Sequence, residues 1–375
     1  MKNTLFKKGL AIWIIILFIG ISVIPSNANV LNVNISTDDK VFSIPMDIRG
    51  ILYVDDDNTG GPWDGTLEHP YQYIQDGIDN AVEGDTIYVF NGIYYEHIVI
   101  DKSSIKLIGE DKDITIIDGN GKGSVILINI YFNYTQICNF TIRNGINGIE
   151  CFSNYNKFYN NIIRDCFIGI LITDYCDETW DAVRGSYNEV YNNIIKENYR
   201  YGISNEVWYP IFFKKSCNKY YENIISHNNN GINLFNCNHC EVLRNYIHNN
   251  TITGIIIGGV SNIIKNNDIR NSVTGILLEG SDLGKVERNN FINNIQNEYF
   301  IQYLLDLPTQ WKRNYWDDWE GSGPQLIFGI LKILAPDYNY YGGYIAYTKI
   351  TIDLFPARQP YDIPDTSLIR NCGIK

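Results

Sequence analysis

The fold is decided by residues 240–295, which read CEVLRNYIHNNTITGIIIGGVSNIIKNNDIRNSVTGILLEGSDLGKVERNNFINNI. Within this stretch a polar pair followed by x-Ile returns about every 22 residues, and a Gly-Ile step follows it six or seven residues later. A repeat of this length with several short apolar runs per copy is typical of a solenoid, whose coils stack on one another. The second Ile of the block recurs along the chain at Ile142, Ile163, Ile195, Ile225, Ile247, Ile269 and Ile292.

The repeat predicts an all-β chain folded as a right-handed parallel β-helix with about 22 residues per coil. One coil cannot bury its own apolar side, whereas stacked coils share one continuous core of Ile side chains. Asparagine recurs seven residues before the repeated Ile, and stacked amides can hydrogen-bond from coil to coil. The predicted structural ladder consists of Asn156, Asn188, Asn218 and Asn262, with Cys240 in the remaining copy.

The two ends of the chain depart from the repeat and define its boundaries. Residues 1–28 have the layout of a secretory signal peptide, with a basic start, an apolar stretch and a small-residue cleavage site; an uncleaved anchor is the alternative. Residues 29–50 are expected to be a linker. Residues 51–298 are expected to form the β-helix, with a capping helix over 71–82. Residues 299–375 are rich in Trp and Tyr and are expected to form a C-terminal cap and tail.

Composition excludes several classes of protein. The 375 residues are 45% apolar and 14% aromatic, which rules out intrinsic disorder, and the formal net charge of −12 argues against nucleic-acid binding. No run of about 20 apolar residues follows the first segment, so we expect no membrane span after signal removal. We therefore predict a secreted or cell-surface protein, which would be periplasmic in a Gram-negative bacterium. The sequence does not define its oligomeric state.

Residues 139–294 resemble the parallel β-helix repeats of the pectin-lyase-like superfamily. They are most similar to its NosD-type branch, also called the carbohydrate-binding and sugar-hydrolase (CASH) repeat domain. Residues 53–57 and 84–89 are similar to the start of secreted archaeal and bacterial members, and residues 314–319 to their closing segment. The resemblance implies the fold, but this scaffold hosts lyases, hydrolases, binding proteins and structural proteins. By analogy with NosD it also implies a copper-handling role as one alternative.

Two adjacent coils carry insertions in the same register, over residues 173–186 and 204–216. Insertions at one corner of a solenoid lie side by side and often form its binding face. Aromatic rings stack on sugars, and polar groups nearby bind sugar hydroxyls, so we predict a site for polysaccharide or cell-surface glycan. The alternative is that these side chains cover an apolar flank or form a subunit contact. The predicted ligand-binding residues are Trp180, Arg184, Trp208, Tyr209, Phe212 and Phe213.

The same loops hold carboxylates that are weak candidates for acid–base catalysis. Glycoside hydrolysis needs two carboxyl groups at a defined separation, which spacing in sequence does not reveal. Hydrolases of the superfamily carry Gly-His-Gly and Arg-x-Lys motifs, and its lyases a Ca²⁺ site with an Arg or Lys base; we find no clear version of either. A polysaccharide lyase or hydrolase is therefore an alternative to glycan binding, as is a structural or adhesive surface protein without a small ligand. The candidate carboxylates are Asp177, Glu178, Asp181 and Glu206.

No metal or cofactor is expected, although two clusters offer ligands. Asp55 and Asp57 are weak candidates for calcium, with a solvated acidic turn as the favoured interpretation. Cys237, His239 and Cys240 are weak candidates for a soft metal such as copper or zinc. In an exported protein, disulfides between adjacent coils are favoured over a metal. The candidate pairs are Cys176–Cys217 and Cys217–Cys240, which exclude each other.

Overall fold

Each coil of the chain gives one strand to each of three sheets, and the strands of successive coils pair in parallel. The computed structural model describes residues 50–176, 182–207, 216–303, 307–334 and 344–363. The chain is a right-handed parallel β-helix, as the repeat predicts.

The first sheet has eleven strands, which are β1 (Ile51–Val54), β2 (Thr86–Val89), β5 (Lys106–Gly109), β8 (Gln136–Cys138), β11 (Lys157–Tyr159), β15 (Glu189–Tyr191), β18 (Lys219–Tyr221), β21 (Glu241–Leu243), β24 (Ile263–Lys265), β27 (Lys285–Glu287) and β30 (Gln310–Lys312). The second sheet has ten strands, which are β3 (Gly92–Tyr94), β6 (Thr115–Asp118), β9 (Thr141–Arg143), β12 (Ile162–Arg164), β16 (Ile194–Lys196), β19 (Ile224–Ser226), β22 (Tyr246–His248), β25 (Asp268–Arg270), β28 (Asn290–Ile292) and β31 (Tyr315–Trp316).

The third sheet has twelve strands, of which eleven follow one path: β4 (Ile98–Ile100), β7 (Ser124–Ile128), β10 (Asn147–Cys151), β13 (Ile168–Cys176), β17 (Tyr201–Glu206), β20 (Asn230–Phe235), β23 (Thr253–Val260), β26 (Thr274–Asp282), β29 (Gln296–Tyr303), β32 (Gln325–Leu334) and β33 (Tyr344–Asp353). The twelfth, β14 (Ala182–Arg184), pairs with β13 beside this path. The third sheet therefore has the longest strands of the solenoid.

The core follows from the alternation of side chains along each short strand. In β15 the middle residue Val190 is fully buried, whereas its neighbours Glu189 and Tyr191 are only partly buried. The same alternation turns the repeated Ile of the second sheet inward, and in-register pairing stacks each Ile on the next. The fully buried members of this stack are Ile142, Ile163, Ile195, Ile225, Ile247 and Ile269.

The last predicted copy of the repeat is one residue out of register. In the second sheet Ile269 pairs with Phe291, which is fully buried, whereas Ile292 is only partly buried. The repeat indicated Asn289-Asn290 as the polar pair, which placed Ile292 at the repeated position. In the structure the left-handed corner residue is Arg288, with a φ of 56°, so the polar pair is Arg288-Asn289. Phe291 is therefore the core residue, and the choice of Ile292 is wrong.

The corner between the first and second sheets, which we call the ladder corner, is lined by fully buried asparagines. Each side-chain Nδ2 donates to the Oδ1 of the next coil, over 3.2, 3.1, 2.9, 3.0, 2.9 and 3.1 Å. The series ends at Asp353, whose Oδ2 accepts from the backbone N–H of Asn314 at 2.9 Å and from its Nδ2 at 3.1 Å. These buried amides are thus paired from coil to coil, as buried polar groups must be. The asparagines are Asn161, Asn193, Asn223, Asn245, Asn267, Asn289 and Asn314.

The corner between the third and first sheets, which we call the insertion corner, holds the ladder positions expected from the sequence. Asn156 donates Nδ2 to Asn188 Oδ1 at 2.9 Å, and the backbone N–H of Asn188 donates to Asn218 Oδ1 at 2.7 Å. Cys240 takes the next position, where its backbone N–H donates to Asn262 Oδ1 at 2.9 Å but its side chain is a thiol. The amide series at this corner is therefore interrupted.

Helix α1 (Ile74–Asn80) covers the first coil, with its apolar side packed in the core. The Glu96 carboxylate accepts hydrogen bonds from the first two helical backbone N–H groups, at 2.8 and 3.0 Å. The helix is shorter than the predicted range 71–82, since Tyr71 still forms a β-bridge with Val54. Within the part of the chain that the structure describes, no helix is long and apolar enough to cross a membrane.

The solenoid continues beyond the boundary predicted at residue 298. Strands β30, β31 and β32 pair in parallel with β27, β28 and β29, and β33 then folds back antiparallel on β32. Trp311 and Trp316 are buried at inward positions, and Trp316 stacks on Phe291 with 4.4 Å between ring centroids. Two large aromatic residues thus fill core positions that Ile fills elsewhere, which explains why the apolar repeat is not visible in this coil.

Candidate functional site

Both insertions leave the third sheet at the ends of β13 and β17 and lead into the first sheet. β13 runs on to Cys176 and pairs antiparallel with β14, with Asp174 opposite Arg184, so the first insertion begins and ends as a β-hairpin. The backbone of Arg184 is described, but its side chain is not. The other predicted loop residues lie outside the described residues: Asp177, Glu178, Trp180, Asp181, Trp208, Tyr209, Phe212 and Phe213.

Glu206 is the one predicted catalytic residue whose surroundings are described. It ends β17 on the outer face of the third sheet, and its Oε1 accepts a hydrogen bond from Ser204 Oγ at 2.8 Å. Asn233 Nδ2 on the next coil donates to the same Ser204 Oγ at 3.0 Å. On the preceding coil, Thr173 Oγ1 donates to the backbone oxygen of Glu206 at 3.1 Å. Hydroxyl, amide and carboxylate groups from three coils therefore meet beside the insertions.

An open groove continues this polar surface along the third sheet. It is shaped by a β-bulge, because the pairing of β23 with β26 shifts in register between Ile257 and Gly259. Gly259 has a φ of 100°, and a Cβ there would collide with the carbonyl oxygen of Cys237, so no other residue fits. We call this feature the glycine groove. Its lining residues are Asn233, Leu234, Phe235, Asn236, Ile256, Gly258, Glu279 and Gly280.

The glycine groove presents one aromatic ring among amide and carboxylate groups. Phe235 is 44% exposed and lies directly opposite Glu206 in the register of β17 and β20. Asn236 Nδ2 donates to the backbone oxygen of Val207 at 3.2 Å, which fixes the amide next to that ring. Such a combination suits a sugar, whose apolar face stacks on a ring while its hydroxyls bind polar groups.

The carboxylates along the glycine groove are widely separated. Glu206 and Phe235 are neighbours in register, and Glu279 lies two strands beyond Phe235. Three steps between strands separate Glu206 from Glu279, which is about 14 Å. Glycosidases place their two carboxyl groups about 5 to 9.5 Å apart. The spacing of the two backbones is therefore wider than the carboxyl separation of a glycosidase pair.

One stack of tyrosines lies at the insertion corner and a second at the ladder-corner end of the first sheet, and the sequence analysis missed both. Tyr134, Tyr155 and Tyr187 are exposed and stack at 5.1 and 5.0 Å between ring centroids. On the first sheet the partly buried rings of β11, β15 and β18 stack at 5.0 and 4.8 Å. Their ring planes are within 11° of parallel, so the rings cover one another's faces and present edges and hydroxyls outward. The signal was a Tyr directly before the polar pair in three consecutive coils, and a Tyr directly before Asn156 and Asn188 in two.

The cysteine and histidine candidates do not converge on a metal. Cys237 and Cys240 are fully buried thiols, whereas His239 between them is exposed. No group of three metal-binding side chains is found among the described residues. Cys217 contacts the exposed Tyr187, whereas Cys240 is fully buried in the core; both are thiols in the structure, and the Cys217–Cys240 pair stays a prediction. The Cys176–Cys217 pair stays a prediction, because the side chain of Cys176 is not described.

The acidic run after β1 forms a local turn. The backbone N–H of Asp57 donates to Asp55 Oδ1 at 3.0 Å, and the backbone N–H of Asn58 donates to the Asp55 carbonyl oxygen at 3.1 Å. Asp56 turns away and accepts a hydrogen bond from the backbone N–H of Ile93 at 3.1 Å. This arrangement is an Asx turn, which these side chains adopt without a metal.

Glu298 is an ionisable group at an inward position of the third sheet, on the strand next to the one that carries Glu279 of the glycine groove. Glu298 is 7% exposed and occupies the inward position that Ile276 takes in the preceding coil. Burial, reinforced by the nearby Asp318 carboxylate, raises the pKa of Glu298 to about 8. Its neighbour Asn297 donates Nδ2 to Asp318 Oδ1 at 2.9 Å, which holds that carboxylate in place. Glu298 is therefore protonated at neutral pH.

Several solved structures share this fold at low sequence identity. XylC, solved in complex with xylose, matches with a TM-score of 0.55 and 12% identity over 71% of each chain. The catalytic unit of a GH87 alpha-1,3-glucanase from Streptomyces thermodiastaticus matches with a TM-score of 0.53 and 11% identity, over 75% of this chain and 61% of that chain. The A-module of the mannuronan C-5 epimerase AlgE4 from Azotobacter vinelandii matches with a TM-score of 0.50 and 13% identity, over 74% and 88%.

Similarity at this level defines the class of protein by its fold. The chain has the fold of a right-handed parallel β-helix, as the repeat predicted. No family model matches the sequence, and no curated protein matches it. The activities of the similar structures belong to those proteins, because one β-helix scaffold supports many functions.

Proposed function

We propose that this protein binds polysaccharide or a cell-surface glycan along the insertion corner and the glycine groove beside it. The observation that carries the proposal is the open groove itself, in which the exposed Phe235 lies among Asn233, Asn236 and Glu279. An aromatic ring binds the apolar face of a sugar, and amides and carboxylates bind its hydroxyls. Trp180 and Trp208 of the two insertions are proposed to add further stacking surfaces.

The similar structures support a carbohydrate ligand in general terms. They include a protein complexed with xylose, an alpha-1,3-glucanase and a mannuronan epimerase, whose substrates or ligands are all carbohydrates. The open shape of the groove favours a polymer that lies across the sheet over a small molecule enclosed by the protein. Export fits such a ligand, and we propose that residues 1–28 direct the chain out of the cytoplasm.

Binding without turnover is favoured over catalysis. The backbone spacing of Glu206 and Glu279 exceeds the carboxyl separation of a glycosidase pair, and the sequence has neither a Gly-His-Gly nor an Arg-x-Lys motif. A lyase or hydrolase would need Asp177, Glu178 or Asp181 to approach Glu206. Release of new reducing ends or of unsaturated sugar ends from a polysaccharide would identify such an enzyme.

Affinity electrophoresis tests the proposal directly. The wild type, Phe235→Ala and the double variant Trp180→Ala/Trp208→Ala are run through gels that contain xylan, alginate or polygalacturonate. We expect at least one polysaccharide to retard the wild type, and both variants to lose most of that retardation. The matched control is Tyr199→Ala, which removes a 72% exposed aromatic residue at the corner between the second and third sheets. Retardation that Phe235→Ala and Tyr199→Ala reduce equally would contradict the proposed site.

A further inference from the structure

The segment from Cys237 to Cys240 brings two thiols together inside the solenoid. Both side chains are fully buried in the hydrophobic core. Cys237 Sγ donates to the backbone oxygen of Asn205 at 3.2 Å, and Cys240 Sγ lies 3.9 Å from the side-chain Oδ1 of the same residue. Both sulfur atoms therefore approach the same residue of the preceding coil.

The backbone at this corner holds the two cysteines on one side of the chain. Asn236 and His239 both have left-handed conformations, with φ of 55° and 58°, so the chain bends before Cys237 and again before Cys240. The Cys240 thiol is near enough to Cys237 to add to the rise in the pKa of its thiol, which burial causes in the first place. A disulfide requires Cβ atoms within about 3.5 to 4.5 Å, which neighbouring side chains at a tight bend can reach without moving a coil.

We infer that Cys237 and Cys240, which are thiols in the structure, oxidise to an intra-coil disulfide, as an alternative to the inter-coil pair Cys217–Cys240 expected from the sequence. The oxidant is a disulfide, either oxidised glutathione or a protein disulfide oxidoreductase. Each thiol loses its proton, one S–S bond forms between Cys237 and Cys240, and the oxidant's own S–S bond is reduced to two thiols. The inference is independent of glycan binding.

Burial determines when this bond forms. Loss of solvent raises the pKa of the Cys237 thiol, so the reactive thiolate is scarce once the coils have stacked. Oxidation therefore takes place while the chain folds, and the finished bond is closed to reductants. The bond would restrain the turn that ends the glycine groove, because the carbonyl of Cys237 packs against Gly259 at the bulge.

Peptide mapping of the wild-type protein tests the inference. The full chain is refolded in a buffer of reduced and oxidised glutathione, denatured, alkylated without reduction and digested. We expect the peptide that contains Cys237 and Cys240 to carry no alkyl group and to be lighter by two hydrogen atoms than its reduced form. Dithiothreitol should open the bond only when denaturant is added.

Two variants sharpen the test. In Cys240→Ser, Cys237 should become fully alkylated, whereas Cys166→Ser, which removes a buried cysteine at another corner, should leave the 237–240 peptide oxidised. Full alkylation of both cysteines in the refolded wild type would overturn the inference, and so would a peptide that links either of them to Cys217. The wild-type map decides the matter even if a variant fails to fold.

Discussion

The ladder corner and the insertion corner are built from the same coils, yet they differ in regularity. At the ladder corner seven buried asparagines follow one another without a break and end at the Asp353 carboxylate. At the insertion corner the amides run from Asn156 to Asn218 and give way to the thiol of Cys240. The insertion corner is also the one that adjoins both insertions, the exposed tyrosine stack and the glycine groove.

The difference shows how one solenoid separates stability from ligand contact. A continuous ladder ties each coil to the next through buried hydrogen bonds, which leave no room for an insertion. A corner that gives up some of these bonds can accept loops of any length, since loops at the surface add little strain to the stack. We therefore expect substitutions at the two corners to have different effects.

The largest effect is expected from Asn245→Ala at the ladder corner. Asn245 Oδ1 accepts from the backbone N–H and Nδ2 of Asn223 at 3.1 and 2.9 Å, and its Nδ2 donates to the Tyr220 carbonyl at 2.9 Å. The change removes four buried hydrogen bonds, the fourth being from Asn245 Nδ2 to Asn267 Oδ1, at about 1 kcal/mol each, and leaves the Asn223 backbone N–H without this partner, so we expect a loss of about 5 kcal/mol in the free energy of unfolding. Urea denaturation measures it. Asn91→Ala, which removes an exposed amide, serves as the control and should cost less than about 1 kcal/mol.

The second-largest effect on stability is expected from a buried carboxyl group, that of Glu298, and it depends on pH. The pKa of Glu298 rises from 4.5 in the unfolded chain to about 8 in the fold, so its proton is bound more tightly in the folded state. Its neutral form is compatible with folding below pH 4.5, and stability is lost progressively as the pH rises from 4.5 through 8. The full difference corresponds to about 5 kcal/mol and is reached only above pH 8, and Glu298→Gln should abolish this part of the pH dependence.

Urea denaturation of the wild type and Glu298→Gln at pH 5, 7 and 9 checks this prediction. As the pH rises, the free energy of unfolding of the variant should increase relative to that of the wild type. At pH 9 the variant should be the more stable of the two. Parallel stability curves for the two proteins across this range would show that Glu298 has the same pKa in the folded and unfolded states, which contradicts the prediction.

A smaller loss of stability is expected when a tyrosine is removed from the aromatic stack at either corner. Tyr191 stacks on two rings at 5.0 and 4.8 Å in a partly buried position, whereas Tyr155 stacks at 5.1 and 5.0 Å in an exposed one. Tyr191→Ala should therefore cost about 2 kcal/mol and Tyr155→Ala about 1 kcal/mol. Thermal unfolding followed by circular dichroism compares them. Equal losses would indicate that burial on the first sheet adds nothing to the stacking.

The smallest effect concerns the charges that join coils on the outer face of the first sheet. Lys219 Nζ lies 3.7 Å from Glu241 Oε2, and the two side chains are 50% and 32% exposed. Such a pair contributes about 0.5 kcal/mol or less, and salt screens it. Lys219→Ala should shift the urea midpoint only slightly at low salt and not at all in 1 M NaCl. A large loss that persists in salt would mean that this pair, and not the asparagine ladder, joins these coils.

The fold was predictable because the chain repeats its inward residues. Stacked coils require the same side chain at the same height, so Ile and Asn recur with a period that the sequence displays. The prediction was wrong where a different residue fills the same space. Phe291 replaces Ile in one coil, and Trp311 and Trp316 replace it in the last. The pair Arg313-Asn314 still marks the ladder corner there and would have located that coil.

The candidate site was less predictable, because it depends on exceptions to the repeat. The length of the insertions identified the corner, and Glu206 lies on the polar surface beside it. The glycine groove depends on a bulge at Gly259, and a departure from strand pairing has no periodic signal. Phe235 was missed since an aromatic residue at the end of an apolar strand resembles an ordinary core residue.

Parallel measurement of stability and glycan retention in Phe235→Ala and Asn245→Ala tests the central claim most directly. The account predicts that Phe235→Ala unfolds within about 1 kcal/mol of the wild type but loses its retardation in the polysaccharide gel. It predicts that Asn245→Ala loses several kcal/mol of stability and, at a temperature where it remains folded, keeps the wild-type retardation. Full retention of glycan binding by a folded Phe235→Ala would contradict the account, because the insertion corner would then not be the ligand-binding surface.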